Sequence, residues 1–250
     1  MTDVQRVAVV TGGASGIGLG IVRHLAEEGW AVVAVDYNAD ACLAARKALA
    51  ALADRVRFLE GDVGTPEGAR VGVDAAIKAY DRLDLLVNNA ALHPAETIDH
   101  HDLHTWRETF RVNVDGMLLC CQAALAPMRR QKKGAIVNMG SISGTVSYAG
   151  GAAYAATKAA IAQFTKVLAL EAGPHGITVN CIAPGTIRHR PGSEGESASH
   201  IPIGRAGTPM DVARLVSYIA SDAAGYMSGA VITLDGGATA GRARVAKKKS

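Results

Sequence analysis

The sequence predicts an α/β fold, doubly wound, with a seven-stranded parallel sheet flanked by helices. Three observations carry that reading. Short β-branched runs alternate with longer helical patterns along the 250 residues, an order that builds right-handed βαβ crossovers. The strand runs are almost continuously apolar, as strands covered on both faces are. A glycine-rich stretch, TGGASGIGLG at residues 11–20, joins the first strand to the first helix.

The strands are read at RVAVVT (6–11), AVVAVD (31–36), VRFLE (56–60), LDLLVN (83–88), GAIVNM (134–139), ITVNCI (177–182) and AVITL (230–234). Each is short, β-branched and followed by turn residues. After the first, GIVRHLAEEG repeats Ile21, Leu25 and Ala26 at helical spacing and ends at Gly29 as a C-cap. One long helix is expected over 103–130 and another over 154–172, both with apolar residues on more than one face. RHRPGSEGESASH (188–200) has the composition of a surface loop. With 49% hydrophobic residues the chain fills one large core. Residues 1–240 therefore read as a single domain, and 241–250, GRARVAKKKS, as a basic, disordered tail.

Charge and composition exclude several classes. The tail's five positive charges, subtracted from the net +3, leave residues 1–240 at −2. A slightly acidic body offers no basic face for nucleic acid. No apolar run reaches the ~18 residues of a membrane span. Cys42, Cys120, Cys121 and Cys181 show no C-x-x-C spacing, and MTDVQRV lacks a signal-peptide layout. The cysteines read as core residues of a cytoplasmic protein. His100 and His104 lie four apart without an H-E-x-x-H motif, so no metal site is expected.

The glycine cluster is where chemistry enters. At a strand-to-helix junction, Gly12 suits the tight turn, Gly16 lets backbone approach a pyrophosphate, and Gly18 permits close helix–sheet packing, with the helix N-terminus facing the anion. Asp36 ends the second strand 18 residues past Gly18, close to the spacing at which a carboxylate takes up the adenosine ribose hydroxyls. A tight turn with no ligand and a merely capping aspartate are the plainer alternatives. Farther along, Tyr154 and Lys158 are four apart in AAYAATKAAIAQFTKVLALEA and share a helix face. An ammonium there favours the phenolate and should lower the tyrosine pKa, letting Tyr154 shuttle a proton.

The spacing Thr-Gly-x-x-x-Gly-x-Gly resembles the short-chain dehydrogenase/reductase family. So does an ordered series of blocks: Asp62-Val63, NNA (88–90), Asn113, Ser141, YAATK (154–158), PG (184–185) and DGG (235–237). The resemblance covers essentially residues 5–240 and implies a Rossmann-like domain and an NAD(P)-dependent oxidoreductase. It implies a catalytic set of Asn113, Ser141, Tyr154 and Lys158. Ser141 would hydrogen-bond the reacting oxygen, Lys158 would also hold the nicotinamide ribose, and Asn113 would anchor a water. The cofactor would be held by Gly12, Ser15, Gly16, Ile17, Gly18, Asp36, Tyr37, Asp62, Val63, Asn89, Ala90, Tyr154, Lys158, Pro184, Gly185, Thr186 and Ile187, with Asp62 on the adenine. Related enzymes are commonly homotetramers, and the two long helices would be the pairing surfaces.

Within that resemblance the cofactor is read as NAD. Asp36 repels a 2′-phosphate, and Ser15 and Tyr37 stand where relatives place a basic side chain. Three departures occur. Ala91 replaces a glycine in NNAA, His189 replaces a threonine that Thr186 would substitute for, and the segment from Gly185 to IPIGR is short. TIRHRPGSEGESASH offers little apolar surface beyond Ile187, so a small polar secondary alcohol or ketone is expected, such as a polyol, sugar or hydroxy acid. His93, Ser143 and Tyr148 are the expected pocket edges, with Arg188 or His189 as anion partners. The alternatives are an NADP-linked 3-oxoacyl thioester reductase and a non-catalytic dinucleotide sensor.

Overall fold

A computed structural model describes residues 5–188 and 198–241. His189 and the basic tail beyond Gly241 lie outside them. Seven parallel strands form one sheet in the order β3-β2-β1-β4-β5-β6-β7. They are β1 (Val7–Thr11), β2 (Ala31–Asp36), β3 (Val56–Glu60), β4 (Leu85–Asn88), β5 (Gly134–Met139), β6 (Ile177–Pro184) and β7 (Val231–Leu234). Each falls where the apolar runs predict it.

Burial explains why those runs are unbroken. Every residue of β1, β2 and β4 is buried, whereas the edge strands β3 and β7 each include exposed positions. Successive side chains of β1 enter different cores: Ala8 and Val10 one, Val7 and Val9 the other, as the period of two requires. The first core takes α1 (Gly16–Glu27), α2 (Ala39–Ala48) and α7 (Pro209–Ile219). The second takes α3 (Pro66–Tyr80), α5 (Gly116–Gln131) and α6 (Ala152–Ala172). Local signals set the helix starts: Asn38 caps α2, Thr65 precedes Pro66 of α3, and Thr208 with Asp211 forms a capping box on α7. Gly29, at φ +92°, follows α1, and its N–H bonds Ala26 O while that of Trp30 reaches Leu25 O.

One expectation needs correction. The long helix read over 103–130 is interrupted: α4 (Leu103–Phe110) ends, a five-residue π turn covers Arg111–Asp115, and α5 begins at Gly116. The wider turn carries Asn113, whose fully buried amide has three partners that a surface helix position would not meet. The four cysteines are buried free thiols, as expected of core residues. Burial alone pushes Cys120 up to about 12. Among the described residues no helix is long and apolar enough to cross a membrane.

Candidate active site

The strand order reverses between β1 and β4, and the crevice at their carboxyl ends is where an open α/β sheet holds ligands. A cleft of about 1350 Å³ opens there. Its floor is pinned by reciprocal bonds. The Thr11 hydroxyl accepts from Asn89 N at 3.0 Å and Ala90 N at 3.1 Å, while Asn89 Nδ2 donates to Thr11 O and Gly12 O, both at 3.0 Å. Gly12 has φ +60° and Gly16 φ +52°, a backbone region that L side chains rarely adopt. A Cβ on Gly18 would lie 2.0 Å from Gly12 O, so the close approach is helix start to turn rather than helix to sheet. Ser15 and Ile17 complete this wall. Ser15 makes no side-chain cap bond, and the first amides of α1 are open to an anion.

At one end of the cleft, Asp36 is 8% exposed and braces the loop: Oδ2 accepts from Ala14 N and Oδ1 from Asn38 N, both at 3.1 Å. Tyr37 beside it is exposed. Asp62 accepts from Gly64 N at 2.9 Å and from Arg111 Nη1 at 2.8 Å. Val63, Asn89, Ala90, Pro184, Gly185, Thr186 and Ile187 line the same cleft. Ala91 is not among the residues with positive φ, so its methyl is accommodated without strain. The sequence reading missed Arg111, another residue of the cleft wall.

The residues of the expected catalytic set converge from three elements. Ser141 follows β5, and its Oγ accepts from Ser143 N at 3.1 Å. The turn after it packs tightly on α6: a Cβ at Gly144 would lie 2.9 Å from the carbonyl carbon of Lys158. One helical turn separates Tyr154 from Lys158, whose Nζ is 5.3 Å from the tyrosine ring centre. Lys158 is 3% exposed, its Nζ donates to Met139 O at 2.7 Å, and burial pulls its pKa from 10.5 to about 8. Asn113 sits behind the main cleft. Its Oδ1 accepts from Leu92 N at 2.7 Å, and Nδ2 donates to Leu92 O and Thr157 Oγ1, both at 3.0 Å. A second cavity of about 10 Å³, bordered by Asn113 and Lys158, is about the size of one water.

The expected lowering of the Tyr154 pKa is overturned for the protein's own groups. Burial pushes the phenol above its ordinary value, and the Ser141 hydroxyl pulls it only partly back. Withdrawal of the phenol from water is the largest cause, and the nearby Tyr148 hydroxyl adds to it.

His93, Ser143 and Tyr148 all line the cleft. The His93 ring lies 4.1 Å, centre to centre, from that of Tyr154, and its Nε2 is hydrogen-bonded to the Tyr148 hydroxyl. Arg188 is not on the wall; its backbone N–H donates to Gly207 O. The expected anion role for His189 falls outside the described residues.

Residues 6–196 match the short chain dehydrogenase family. The chain is 39% identical over 243 residues to a 3-alpha-(or 20-beta)-hydroxysteroid dehydrogenase of Mycobacterium tuberculosis, covering 96% of this chain and 92% of the relative. It is 38% identical to a cis-4-hydroxycyclohexanecarboxylate dehydrogenase of Sinomonas cyclohexanicum, covering 94% and 97%. Among solved structures it resembles ElxO with NADP bound, at TM-score 0.89 and 26% identity, covering 95% of this chain and 100% of that one.

The depressed Lys158 pKa has a thermodynamic sign. The folded value lies below the unfolded one, so the unfolded chain holds more protons between about pH 8 and 10.5, and stability rises with pH through that window. Lys158→Met removes this gain. Urea unfolding at about pH 7 and about pH 10 should show the stability difference moving in favour of wild type by about 1–3 kcal/mol at the higher pH. A pH-independent difference would mean that the ammonium is not disfavoured by burial.

Proposed function

The chain belongs to the short chain dehydrogenase family and is an NAD(P)-dependent oxidoreductase of CH–OH groups; from that premise we propose how its residues interconvert a secondary alcohol and a ketone. The observation that carries the proposal is the convergence of Ser141, Tyr154 and Lys158 on one side of a cleft whose other side is the glycine-rich loop. The cofactor, when bound, accepts or supplies the hydride. Gly12, Ser15, Gly16, Ile17 and Gly18 form the turn and helix start suited to its pyrophosphate. Asp36 and Tyr37, Asp62 and Val63, and Asn89 and Ala90 face the adenosine. Pro184, Gly185, Thr186 and Ile187 face the nicotinamide half, with Lys158 on its ribose.

Tyr154 exchanges a proton with the substrate oxygen, and Ser141 hydrogen-bonds that same oxygen. Lys158 sets the charge behind the phenol, and Asn113 anchors a water beside Lys158. Tyr154→Phe removes only the transferable proton. Its kcat should fall roughly 100- to 10,000-fold with NADH affinity retained, and near-normal turnover would refute the assignment. The substrate is proposed to be a small, polar, ring-borne secondary alcohol or its ketone. One relative is named for cis-4-hydroxycyclohexanecarboxylate, a small ring-borne hydroxy acid, and the His93–Tyr148 pair and Ser143 give the pocket a polar rim. A panel of hydroxycyclohexanecarboxylates, polyols, steroids and 3-oxoacyl thioesters tests this, and a best kcat/KM on a steroid or thioester would overturn it.

The cofactor is proposed to be NAD. Asp36 would face a 2′-phosphate, and no cation stands at Ser15 or Tyr37; a close like-charge pair at a protein surface is worth up to ~4 kcal/mol. Asp36→Ala with Tyr37→Arg should move the kcat/KM preference toward NADPH by about 10-fold or more. Wild type already preferring NADPH would contradict the reading.

The protein is further proposed to be a cytoplasmic homotetramer. Leu118 on α5 and Val167 and Leu170 on α6 turn apolar side chains to solvent, Leu170 with 80% exposure, as pairing helices do. Light scattering should give four times the 25.8 kDa chain mass, and a monomer at micromolar concentration would count against assembly.

A further inference from the structure

Arg111 joins two carboxylates across the adenosine end of the cleft. Its Nη1 donates to Asp62 Oδ2 at 2.8 Å, and its Nε donates to Glu108 at 2.9 and 3.1 Å. Asp62 follows β3 and lies 49 residues away in sequence. The π turn that interrupts the long helix begins at Arg111 itself. The other Asp62 oxygen accepts from Gly64 N at 2.9 Å. Both carboxylate oxygens are thus held by N–H donors, and each keeps a lone pair for a further donor.

Space for this arrangement depends on Gly64. A Cβ there would fall 2.0 Å from Arg111 Nη1 and 2.7 Å from its Cζ. Gly64 is not among the positive-φ residues, so what its missing side chain leaves room for is the guanidinium. The Asp62 side chain is 40% exposed. Unheld, such a side chain would lose rotamer freedom on binding a ligand.

We propose that Arg111 is a positioning residue for cofactor recognition: it orients the Asp62 carboxylate as a fixed, acceptor-only reader of the adenine 6-amino group, with Gly64 as the gap that admits it. This rests on the reading of Asp62 as the adenine partner. An amino group donates to such a carboxylate, whereas the 6-oxo group of hypoxanthine presents a second acceptor and is repelled. Removing Arg111 therefore weakens discrimination between the two bases, beyond any general loss of binding. Lysine does not replace it, because a single ammonium lacks the planar fork that reaches Asp62 and Glu108 together.

The test compares dissociation constants for NADH and for reduced nicotinamide hypoxanthine dinucleotide, measured by calorimetry on the full-length protein. Wild type should prefer NADH, and Asp62→Asn should abolish the preference. Arg111→Ala should shrink the ratio by about 3- to 10-fold. Gly64→Ala displaces chiefly the guanidinium end of a flexible side chain while retaining the arginine and the residue 64 amide. It should shrink the ratio in the same direction and serves as the variant that folds. If Asp62→Asn abolishes the ratio but Arg111→Ala and Gly64→Ala leave it intact, even with both affinities lowered equally, the positioning role is overturned and the adenine reading survives. If wild type shows no preference, or Asp62→Asn keeps it, the adenine reading fails and the proposal with it.

Discussion

The site is organised around a buried ammonium. Lys158 lies under the carboxyl end of β5, with Met139 O as its described hydrogen-bond acceptor, although an ammonium carries three donors. Burial disfavours that charge, and the fold accepts the cost because α6 cannot turn Lys158 outward without moving Tyr154. The two share one helix face, and that face is locked by close contact at Gly144 and by the Asn113–Thr157 bond. Elsewhere on α6, Thr165 accepts from Asn138 Nδ2, and Asn138 Oδ1 in turn accepts from Asn88 Nδ2. This polar chain runs between β4, β5 and α6 through an otherwise apolar core. Buried polar groups bonded to one another in this way tie the helix to one register against the sheet.

The same burial decides the acid–base character of the site. Tyr154 and Lys158 are both largely withdrawn from water, so each resists its charged form: the phenol is pushed up and the ammonium down. The protein's own groups therefore favour a neutral, proton-donating phenol. The topology supplies the other half. Reversal of strand order at β1 and β4 opens the crevice, and the Thr11–Asn89 bonds hold its two sides in register. The glycine-rich turn and the Ser141 turn consequently face each other across one cleft.

Much of this was legible in the residues themselves. Strands buried on both faces read as unbroken apolar runs, so all seven were located; β4 begins at Leu85 rather than residue 83, and β6 continues to Pro184. Tyr154 and Lys158 were legible because helical spacing alone brings them together. The π turn was not, since one inserted residue leaves the apolar periodicity on either side intact. Nor was the Arg111–Asp62 pair: with 26 basic and 23 acidic residues in the chain, no spacing distinguishes one opposite-charge pair 49 residues apart. The His93–Tyr154 ring contact is likewise tertiary. The direction of the Tyr154 shift was missed for a related reason: sequence shows a neighbouring cation but not how far both groups are taken from water.

That balance between charge and desolvation is the centre of the account, and one measurement reads it directly. Protein labelled with ¹³C at the tyrosine ζ carbon can be titrated by NMR without added cofactor, with Tyr154→Phe assigning the resonance. The account predicts a Tyr154 midpoint above the ordinary tyrosine value of ~10. A midpoint below it would show that the Lys158 ammonium governs the phenol despite burial, and would contradict the account.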